Sequence, residues 1–586
     1  MMAAARTASP VLPITVGPPV FGAGGQEKTG GRHSHPPDAE TSGNIEIKPI
    51  MKLLNESDLL LAGWLHGPQL AEMLAAVARM EERGIQDPGY AMKLLRRDFP
   101  PPEPKCRMRD EAAPLATAIE ATGPVDEANI AAVKRLMDQL LRVPVIQRGA
   151  IMPDACPAGH AVATIPVGGA IAVENAIIPS AHSEDICCSM MASFFKTDAD
   201  VETQLDALMK STRFGAGGRK EEDWVSHPVL KEDVWDNPYL QGLERHAAMH
   251  LGDQGDGNHF AFLGECLLTA EQCAALAKAG HQELADALGP ELKSAGGADA
   301  PSVVRWNVLV THHGSRGLGA HVYKRGQKAA EKQTAKTAAG IPIAACWLDF
   351  DSEEGAAYWE ALQYVSRWTL ANHQCIHASL AEKLGTVIAA SVGNEHNFVW
   401  KRDRLFLHGK GATPAWNDDL GRPRIGLIPL HMAAPILLVL GRDNAEYLSF
   451  APHGAGRNVS RRAAVRAFQQ EDGLGPDAKE LQRLVSEQTP GIAVRWWHKK
   501  PDLSETPMAY KPAAQVKSQI AQFGLAEVVA EIRPLGCIMA GDAGPRPWER
   551  DKDLTPKQKR QIEHRADRRK SRQGLLNWDD EPEGGG

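Results

Sequence analysis

The sequence predicts an α+β protein, with a large core of mixed sheets and helices and added segments at both ends. Residues 45–145 carry helical patterns, whereas beyond Pro144 short runs typical of β-strands are separated by Gly and Pro and interleaved with helical stretches. The length of 586 residues allows two to four domains, but a single large core is equally compatible. This mixture places the chemistry on the loops.

The first part of the chain changes character near residue 45. Residues 1–44 are rich in Gly, Pro, Ala and Thr and have no sustained hydrophobic period, so we expect a flexible, disordered leader. A transit peptide is the alternative, but Asp38, Glu40 and the many prolines weaken that pattern. In the helical segment 45–145, breaks are predicted at Pro88 and at Pro100-Pro101-Pro102.

A helix that should pack on the core is predicted between Asp126 and Leu141, behind acidic first-turn positions. Its apolar residues recur at helical spacing, namely Ile130, Val133, Met137 and Leu140. Farther along, strand-like runs occur in AVATIPVGGAIAV, VVRWNVLVTHHG and PILLVLG, and another helix is predicted from Ala356 to Leu370. No repeat of solenoid period is visible in the sequence.

Residues 546–586 form a charged tail with few aromatic residues, and Lys557 to Arg572 is a basic, helix-compatible stretch. This tail could contact RNA phosphates, although a solvated helix or a disordered end explains it equally well. The net charge of −8 excludes a globally basic nucleic-acid coat. Nine scattered cysteines without a secretory leader indicate reduced thiols and a cytoplasmic location. Apolar runs are too short to span a membrane, so we expect no membrane partner.

The main functional signal is a set of histidines beside glycine-rich or polar turns. The set comprises Asn258-His259, His312-His313, His396-Asn397 and His453, with Asp185 and Cys188 together in SEDICCSM. Imidazole, thiolate and carboxylate groups are ligands of borderline transition metals. A lone histidine or cysteine is more often structural, but the recurrence favours a metal-dependent enzyme that acts on phosphates.

Two glycine-rich segments each carry an arginine: Gly314–Gly319 and Gly454–Arg457. Flexible backbone beside a guanidinium group can bind phosphate oxygens, although either segment alone is more often a tight turn. His453 precedes the second segment. A neutral imidazole there could attack the α-phosphorus of a nucleotide and form a phosphoramidate. A further metal ligand or an ordinary loop histidine are the alternatives.

Taken in order, these motifs resemble those of the RtcB RNA-splicing ligases. The matching segments lie between about residues 130 and 545 and read MPDACPAG, SEDICCSM, GDQGDGNHF, HHGSRGLG, EHNFV, HGKGAT, HGAGRNVSR, ETPMAYK and RPLGCIMAG. Ordered agreement across so many motifs is specific, whereas one alone is weak. The resemblance implies an RtcB-like catalytic domain at 146–545.

RtcB ligases join RNA 2′,3′-cyclic phosphate or 3′-phosphate ends to 5′-hydroxyl ends with GTP and two Mn²⁺ ions, in RNA repair or tRNA splicing. The resemblance implies that His453 carries the nucleotide covalently. The implied metal ligands are Asp185, Cys188, His259, His312 and His396, with Cys188 bridging the ions. The implied nucleotide-binding residues are Asn258, Arg457, Tyr510, Gly454 and Gly456. Such RNA ends and a nucleoside triphosphate are the implied partners, and the need for an activating protein stays open.

Departures from the RtcB pattern concentrate around the guanine nucleotide. They are Phe262 for a glutamate, Met539 for a lysine, His431 for a serine, Gly409 for an arginine, and Cys187 and Ser189 for two glycines. A phenylalanine cannot accept hydrogen bonds from guanine N1–H and the 2-amino group, as a carboxylate would. We therefore predict a divergent member that reads a different base, or reads guanine weakly.

Two other functions stay open on the sequence alone. A dinuclear-metal phosphohydrolase could open cyclic phosphates without ligating, because a cation site can outlast a changed base pocket. A non-catalytic RNA-binding module could use the same fold with the basic tail.

Overall fold

The computed structural model describes residues 53–100, 106–157, 162–215, 217–289, 302–461, 464 and 477–542. The predicted leader at 1–44 and the predicted tail at 546–586 lie outside the described residues. The described chain divides into two compact units. The smaller contains residues 53–100 and 335–340, and the larger contains the rest.

The β-strands of the described residues are numbered in chain order. They are β1 (Cys106–Arg107), β2 (Leu115–Thr117), β3 (Ile146–Cys156), β4 (Val167–Glu174), β5 (Ala176–Ile177), β6 (Ser189–Phe195), β7 (Arg213–Phe214), β8 (Asp253–Gly255), β9 (Phe260–Thr269), β10 (Val303–His313), β11 (Ala338–Ala339), β12 (Leu348–Asp349), β13 (Ile388–Glu395), β14 (Asn397–Arg402), β15 (Leu405–Lys410), β16 (Ala412–Pro414), β17 (Ile425–Pro429), β18 (Ile436–Gly441), β19 (Phe450–Pro452), β20 (Ala493–Trp496) and β21 (Ala526–Met539).

The α-helices of the described residues are numbered in the same way. They are α1 (Glu56–Leu61), α2 (Pro68–Glu82), α3 (Pro88–Asp98), α4 (Pro124–Leu141), α5 (Val201–Ser211), α6 (Glu244–His250), α7 (Ala270–Lys278), α8 (Gln282–Leu288), α9 (Arg316–Thr334), α10 (Glu353–Leu384), α11 (Ala478–Gln488) and α12 (Ala513–Gln522). No helix among these combines the length and the apolar character needed to cross a bilayer.

The smaller unit packs α1 to α3 around its own apolar core, in which Leu59, Trp64, Met73 and Leu95 are buried. Pro88 occupies the first turn of α3, where its missing N–H costs nothing, so the predicted break is the start of a helix. The helical segment predicted at 45–145 is thus divided, with α1 to α3 in this unit and α4 in the larger one.

The larger unit is built on two mixed sheets. In the eight-stranded sheet the order is β13-β6-β10-β9-β21-β18-β17, and β20 pairs in parallel with β21. Side chains alternate between its faces, so Phe262 belongs to one buried cluster and Leu263 to the other. The five-stranded sheet has the order β14-β15-β4-β3-β2, of which only β2 and β3 are parallel. These sheets, with helices packed against them, confirm the α+β prediction.

The individual elements mostly follow the sequence. Helix α4 begins at Pro124 and buries the predicted apolar residues. Two of the strand-like runs correspond to β10 and β18, and the second half of the first run, from Val167, forms β4. The Gly314–Gly319 segment, however, is not a free loop, because α9 begins within it at Arg316. The predicted helix at 356–370 is part of α10, which ends at Leu384 and is capped by Gly385, a left-handed residue with φ of 61°.

Candidate metal centre and nucleotide site

The predicted metal ligands lie at the ends of neighbouring strands of the eight-stranded sheet. Cys188 precedes β6, His259 precedes β9, His312 is the penultimate residue of β10, and His396 follows β13. Because these four strands are antiparallel neighbours, the starts of two of them and the ends of the other two share one edge. In this register His312 pairs with Phe260, next to His259.

At this edge the five predicted ligands meet around Cys188. Its Sγ lies 3.2 Å from Nε2 of His312 and 3.5 Å from Nε2 of His259. His259 Nε2 is 2.8 Å from Oδ2 of Asp185, and His312 Nε2 is 3.1 Å from Nε2 of His396. Two groups result, Cys188 with His312 and His396, and Cys188 with Asp185 and His259, each with ligand atoms within 4.8 Å of one another.

This donor set fits two cations that share one thiolate. Protein ligands bind a four-coordinate cation at about 2.0–2.3 Å, so two ligands of the same ion lie roughly 3–4 Å apart. The distances from Cys188 Sγ to the two histidine rings fall in that interval. One sulfur, one carboxylate and three imidazoles are ligands that borderline transition metals accept.

The electrostatics of the cluster favour cation binding at the imidazoles and the carboxylate and oppose it at the thiol. Burial lowers the pKa of His312 and His396 well below its ordinary value, and neighbouring histidines add to the effect, so both rings are neutral. Burial raises the pKa of Cys188, and the charge of Asp185 adds to this, so a cation must displace the thiol proton on binding. Burial would raise the pKa of Asp185 too, but His259 and Arg316 outweigh it, and that carboxyl stays ionised.

Two neighbours hold the ligands in place. Nδ1 of His312 lies 3.3 Å from the backbone carbonyl of Asn258 and can donate its hydrogen there, which leaves a lone pair on Nε2, the nitrogen that faces Cys188. A Cβ on Gly314 would lie 2.1 Å from Oδ1 of Asp185, so only glycine allows that carboxylate its position. Asn258 thus supports a ligand in addition to lining the cavity described below.

His453 follows β19 and lies beside the cluster, with its ring centroid 4.9 Å from that of His396. Its Nδ1 is 2.6 Å from Oδ2 of Asp154, a fully buried carboxylate on β3. An ionised Asp154 accepts the Nδ1–H hydrogen and leaves Nε2 with a free lone pair. Sequence reasoning missed Asp154, although it lies in the recognised MPDACPAG motif. Asp154 is 299 positions from His453, so no local spacing pattern connects the two residues.

The loop after His453 packs on the strand that carries Asp154. Gly456 has φ of 71°, and a Cβ there would lie 2.0 Å from the backbone oxygen of Asp154. Only glycine tolerates both conditions. The loop therefore places His453 against its carboxylate through close backbone contact.

Arg457 and Tyr510 form a charged cluster with Glu505 and Arg461. Tyr510 Oη donates to Glu505 at 2.5 Å, Arg461 Nε donates to it at 3.0 Å, and the Arg457 guanidinium lies 5.2 Å from the Tyr510 ring centroid. Burial would raise the pKa of Glu505, but Arg461 and Arg457 outweigh it and keep the carboxyl ionised. One carboxylate therefore faces two guanidinium groups, which leaves positive charge for a phosphate.

The cation cluster, His453 and the Arg457–Tyr510 cluster line one cavity of about 560 Å³, a volume typical of small-molecule sites. It collects every residue that the sequence predicted for the site: Asp185, Cys188, Asn258, His259, His312, His396, His453, Gly454, Gly456, Arg457 and Tyr510. Phe262, Met539 and His431 line it as well.

The two replaced glycines beside Cys188 have distinct structural settings. Cys187 has φ of 57°, a left-handed conformation that glycine adopts without strain, which explains a glycine in the RtcB pattern there. A hydrogen bond of 3.0 Å joins Oγ of Ser189 to Nε2 of His373 on α10. A second one, of 2.6 Å, joins Nδ1 of His373 to Oγ1 of Thr311. His373 therefore ties the residue after Cys188 to the residue before His312.

The fold and the site together define an α+β protein whose central sheet presents a cluster of potential metal ligands at one edge. The family described as tRNA-splicing ligase RtcB matches residues 239–540, which is more than half of the chain. The chain belongs to the RtcB family. This confirms the resemblance inferred from the motifs.

Individual relatives agree with this assignment. The tRNA-splicing ligase RtcB of Thermococcus kodakarensis is 28% identical over 458 residues, which cover 66% of this chain and 86% of that protein. The RNA-splicing ligase RtcB of Escherichia coli K12 is 26% identical over 424 residues, covering 66% of this chain and 89% of the relative. The match to the Pyrococcus horikoshii tRNA-splicing ligase RtcB, at 28% identity, spans 50% of this chain but 34% of that longer relative.

Proposed function

We propose that this protein is a metal-dependent RNA ligase that joins a 2′,3′-cyclic phosphate or 3′-phosphate end to a 5′-hydroxyl end, in RNA repair or tRNA splicing. One observation carries the proposal: His453, oriented by the buried Asp154, shares a cavity with the ligand cluster around Cys188. A nucleophilic nitrogen beside a cation site is the arrangement that nucleotidyl transfer needs.

Asp185, Cys188, His259, His312 and His396 would hold two divalent cations, Mn²⁺ by family, with Cys188 shared between them. Bound cations supply electrostatic stabilisation of negative charge on phosphate oxygens. The protein's own part is to keep the rings of His312 and His396 neutral and to hold the cluster in place. Arg457 would add a guanidinium to the phosphate-binding side of the cavity.

The nucleotide step uses His453 as the nucleophile. Its Nε2 attacks the α-phosphorus of a nucleoside triphosphate, a P–N bond forms, the bond to the β-phosphate oxygen breaks, and pyrophosphate leaves. Asp154 accepts the Nδ1–H hydrogen bond throughout and stabilises the positive charge that develops on the ring.

The RNA steps follow from that adduct. A cyclic phosphate is first opened by water to a 3′-phosphate, whose oxygen then attacks the phosphorus on His453 and breaks the P–N bond. The 5′-hydroxyl of the second RNA attacks the activated 3′-phosphate, a 3′,5′-phosphodiester forms, and the nucleoside monophosphate leaves.

We place this activity in the cytoplasm, since all nine cysteines are free thiols in the structure.

A ligation assay tests the proposal. A nicked stem-loop RNA with 2′,3′-cyclic phosphate and 5′-hydroxyl ends is incubated with protein, Mn²⁺ and each of the four nucleoside triphosphates. We expect a joined RNA and a nucleotidyl adduct by intact mass, and neither with Cys188→Ala or His453→Ala. His66→Ala, which changes a histidine of the smaller unit, is the matched control.

The same assay separates the two other functions. Loss of the cyclic phosphate without a joined product or an adduct would identify a phosphohydrolase. Protein that binds RNA but contains no transition metal, and whose RNA affinity is unchanged in His453→Ala, would identify a non-catalytic binding module.

A further inference from the structure

One end of the cavity is apolar, and this end is built from two adjacent strands. Phe262 on β9 is paired with Cys537 on β21, and Phe260 is paired with Met539, so all four side chains project from the same face of the sheet. Met432 and Ile436 complete this end of the cavity lining. We call these six residues the apolar wall. The Phe262 ring also packs against Gly264, where a Cβ would lie 2.7 Å from its Cε1.

The apolar wall offers little to a hydrogen-bond donor. Cys537 and the methionines have sulfur atoms, which are weak acceptors. Burial raises the pKa of Cys537 to about 12, so it stays a neutral thiol. Among the described residues of the wall there is no carboxylate and no side-chain amide.

The four carboxylates of the cavity lining lie outside the apolar wall, and each has a partner. Glu505 accepts from Tyr510 and Arg461, and Asp185 contacts His259. The remaining two are Glu184, which pairs with Lys324 at 2.7 Å, and Asp256, which accepts from the backbone of Gly257 at 2.9 Å. None of the four belongs to the apolar wall.

His431, beside the wall, is a hydrogen-bond donor. The backbone N–H of Ala433 donates to its Nδ1 at 3.3 Å, so a neutral ring carries its hydrogen on Nε2. Burial lowers the pKa of His431, which keeps the ring neutral at physiological pH. The apolar wall and His431 together therefore combine an apolar surface with one side-chain N–H.

We propose that the cavity binds its nucleotide through adenine and discriminates against guanine, with Phe262, Met539 and His431 as the determinants. Guanine presents N1–H and a 2-amino group, which would lose water without gaining an acceptor at this wall. Adenine has no donor at N1 or C2, so its 6-amino group is the one donor group it brings where guanine brings two, and its ring nitrogens can accept from His431. The inference rests on the proposed function only in that the site takes a nucleotide.

A series of ligands tests this without altering the wall. His453→Ala removes the nucleophile, so equilibrium dialysis reports binding alone. ATP, purine riboside triphosphate, ITP and GTP differ in the donors at N1 and C2. We expect ATP and the purine analogue to bind about 10- to 100-fold more tightly than GTP, with ITP between them. Adduct formation on the unaltered His453, followed by intact mass, should show the same order.

Two substitutions test the determinants. Phe262→Glu places an acceptor on the wall and should shift the preference toward GTP, whereas Phe262→Leu keeps the wall apolar and should not. Because a carboxylate at this buried position can impair folding, thermal unfolding is recorded for each variant. His431→Phe removes the donor and should weaken ATP binding several-fold without improving GTP binding.

The outcomes separate this inference from the proposed function. GTP binding as tight as ATP binding, or no binding of any of the four nucleotides, would overturn the inference. A preference for ATP in dialysis together with no adduct on His453 would support the base preference and reject nucleotidyl transfer.

Discussion

Asp154 and His453 are 299 positions apart in the chain, yet Oδ2 of the first lies 2.6 Å from Nδ1 of the second. Asp154 comes from the five-stranded sheet, and His453 follows a strand that pairs only with β16 among the described strands. The carboxylate is fully buried and the imidazole is mostly buried. This contact occupies Nδ1 of His453 and leaves its Nε2 free of that carboxylate.

Replacing Asp154 by Asn tests that contact. An amide at this place can donate to Nδ1 and move the ring hydrogen to Nε2, which removes the nucleophilic lone pair. We expect adduct formation to slow by about 10²- to 10⁴-fold while cation content is unchanged. The rate is measured by intact mass against time. Asp138→Asn, on the exposed face of α4, is the control, and an Asp154→Asn rate equal to it would refute the role.

The shared position of Cys188 predicts a pattern of cation stoichiometry. Cys188→Ala should weaken both sites, whereas His396→Ala and His259→Ala should each weaken one, because each histidine belongs to one ligand group. Metal analysis after dialysis against Mn²⁺ checks this. Retention of the full cation content by Cys188→Ala would exclude a shared thiolate. Chelator treatment of the unaltered protein should abolish adduct formation, and the addition of Mn²⁺ should restore it.

The bonds of His373 predict a role in positioning the cation ligands. His373→Phe keeps a ring against His313, whose centroid is 3.6 Å away, but removes the bonds to Ser189 and Thr311. We expect Mn²⁺ affinity to fall by about 10- to 100-fold and unfolding free energy by about 1–3 kcal/mol.

Titration calorimetry and denaturant unfolding measure these two effects of His373→Phe. Ser379→Ala, on the same helix, should change neither. A loss of stability with unchanged Mn²⁺ affinity would show that His373 stabilises the fold but does not position the cation ligands.

The buried Lys410 predicts a pH effect on stability. Burial lowers its pKa to about 8 from an ordinary value of 10.5. Below pH 8 the lysine is charged in both states and the cost of burying the charge is present in full. Between pH 8 and 10.5 Lys410 has lost its proton in the folded protein but keeps it in the unfolded chain, so the free energy of unfolding rises with pH. Above pH 10.5 the lysine is neutral in both states and the free energy of unfolding levels off.

Lys410→Met removes this dependence. At pH 7 the variant should be more stable by on the order of 3 kcal/mol, and the difference should shrink as pH rises toward 10. Unfolding in denaturant at several pH values measures it, with the exposed Lys220→Met as the control. A difference that is independent of pH would indicate a packing effect instead.

The sequence predicted the local elements well where a single periodicity holds. Strand β10 was predicted from a strand-like run rich in valine, and α4 from four apolar residues at helical spacing. Helix α10 was predicted 14 residues too short at its end, because Asn372, His373 and His377 interrupt the apolar pattern although all three are buried. Their polar groups are satisfied by Thr311, Ser193 and backbone partners from other elements, which no local pattern records.

Taken alone, the sequence determined the family, the α+β class and the kinds of ligand available, because motif order and hydrophobic period are properties of neighbouring residues. Only the tertiary structure decided which of those groups meet. Strand order and register bring Cys188, His259, His312 and His396 to one edge, and the packing of a loop on β3 gives His453 its carboxylate. Such contacts join residues 71 to 299 positions apart, and the free energy that selects them is that of the whole packed core.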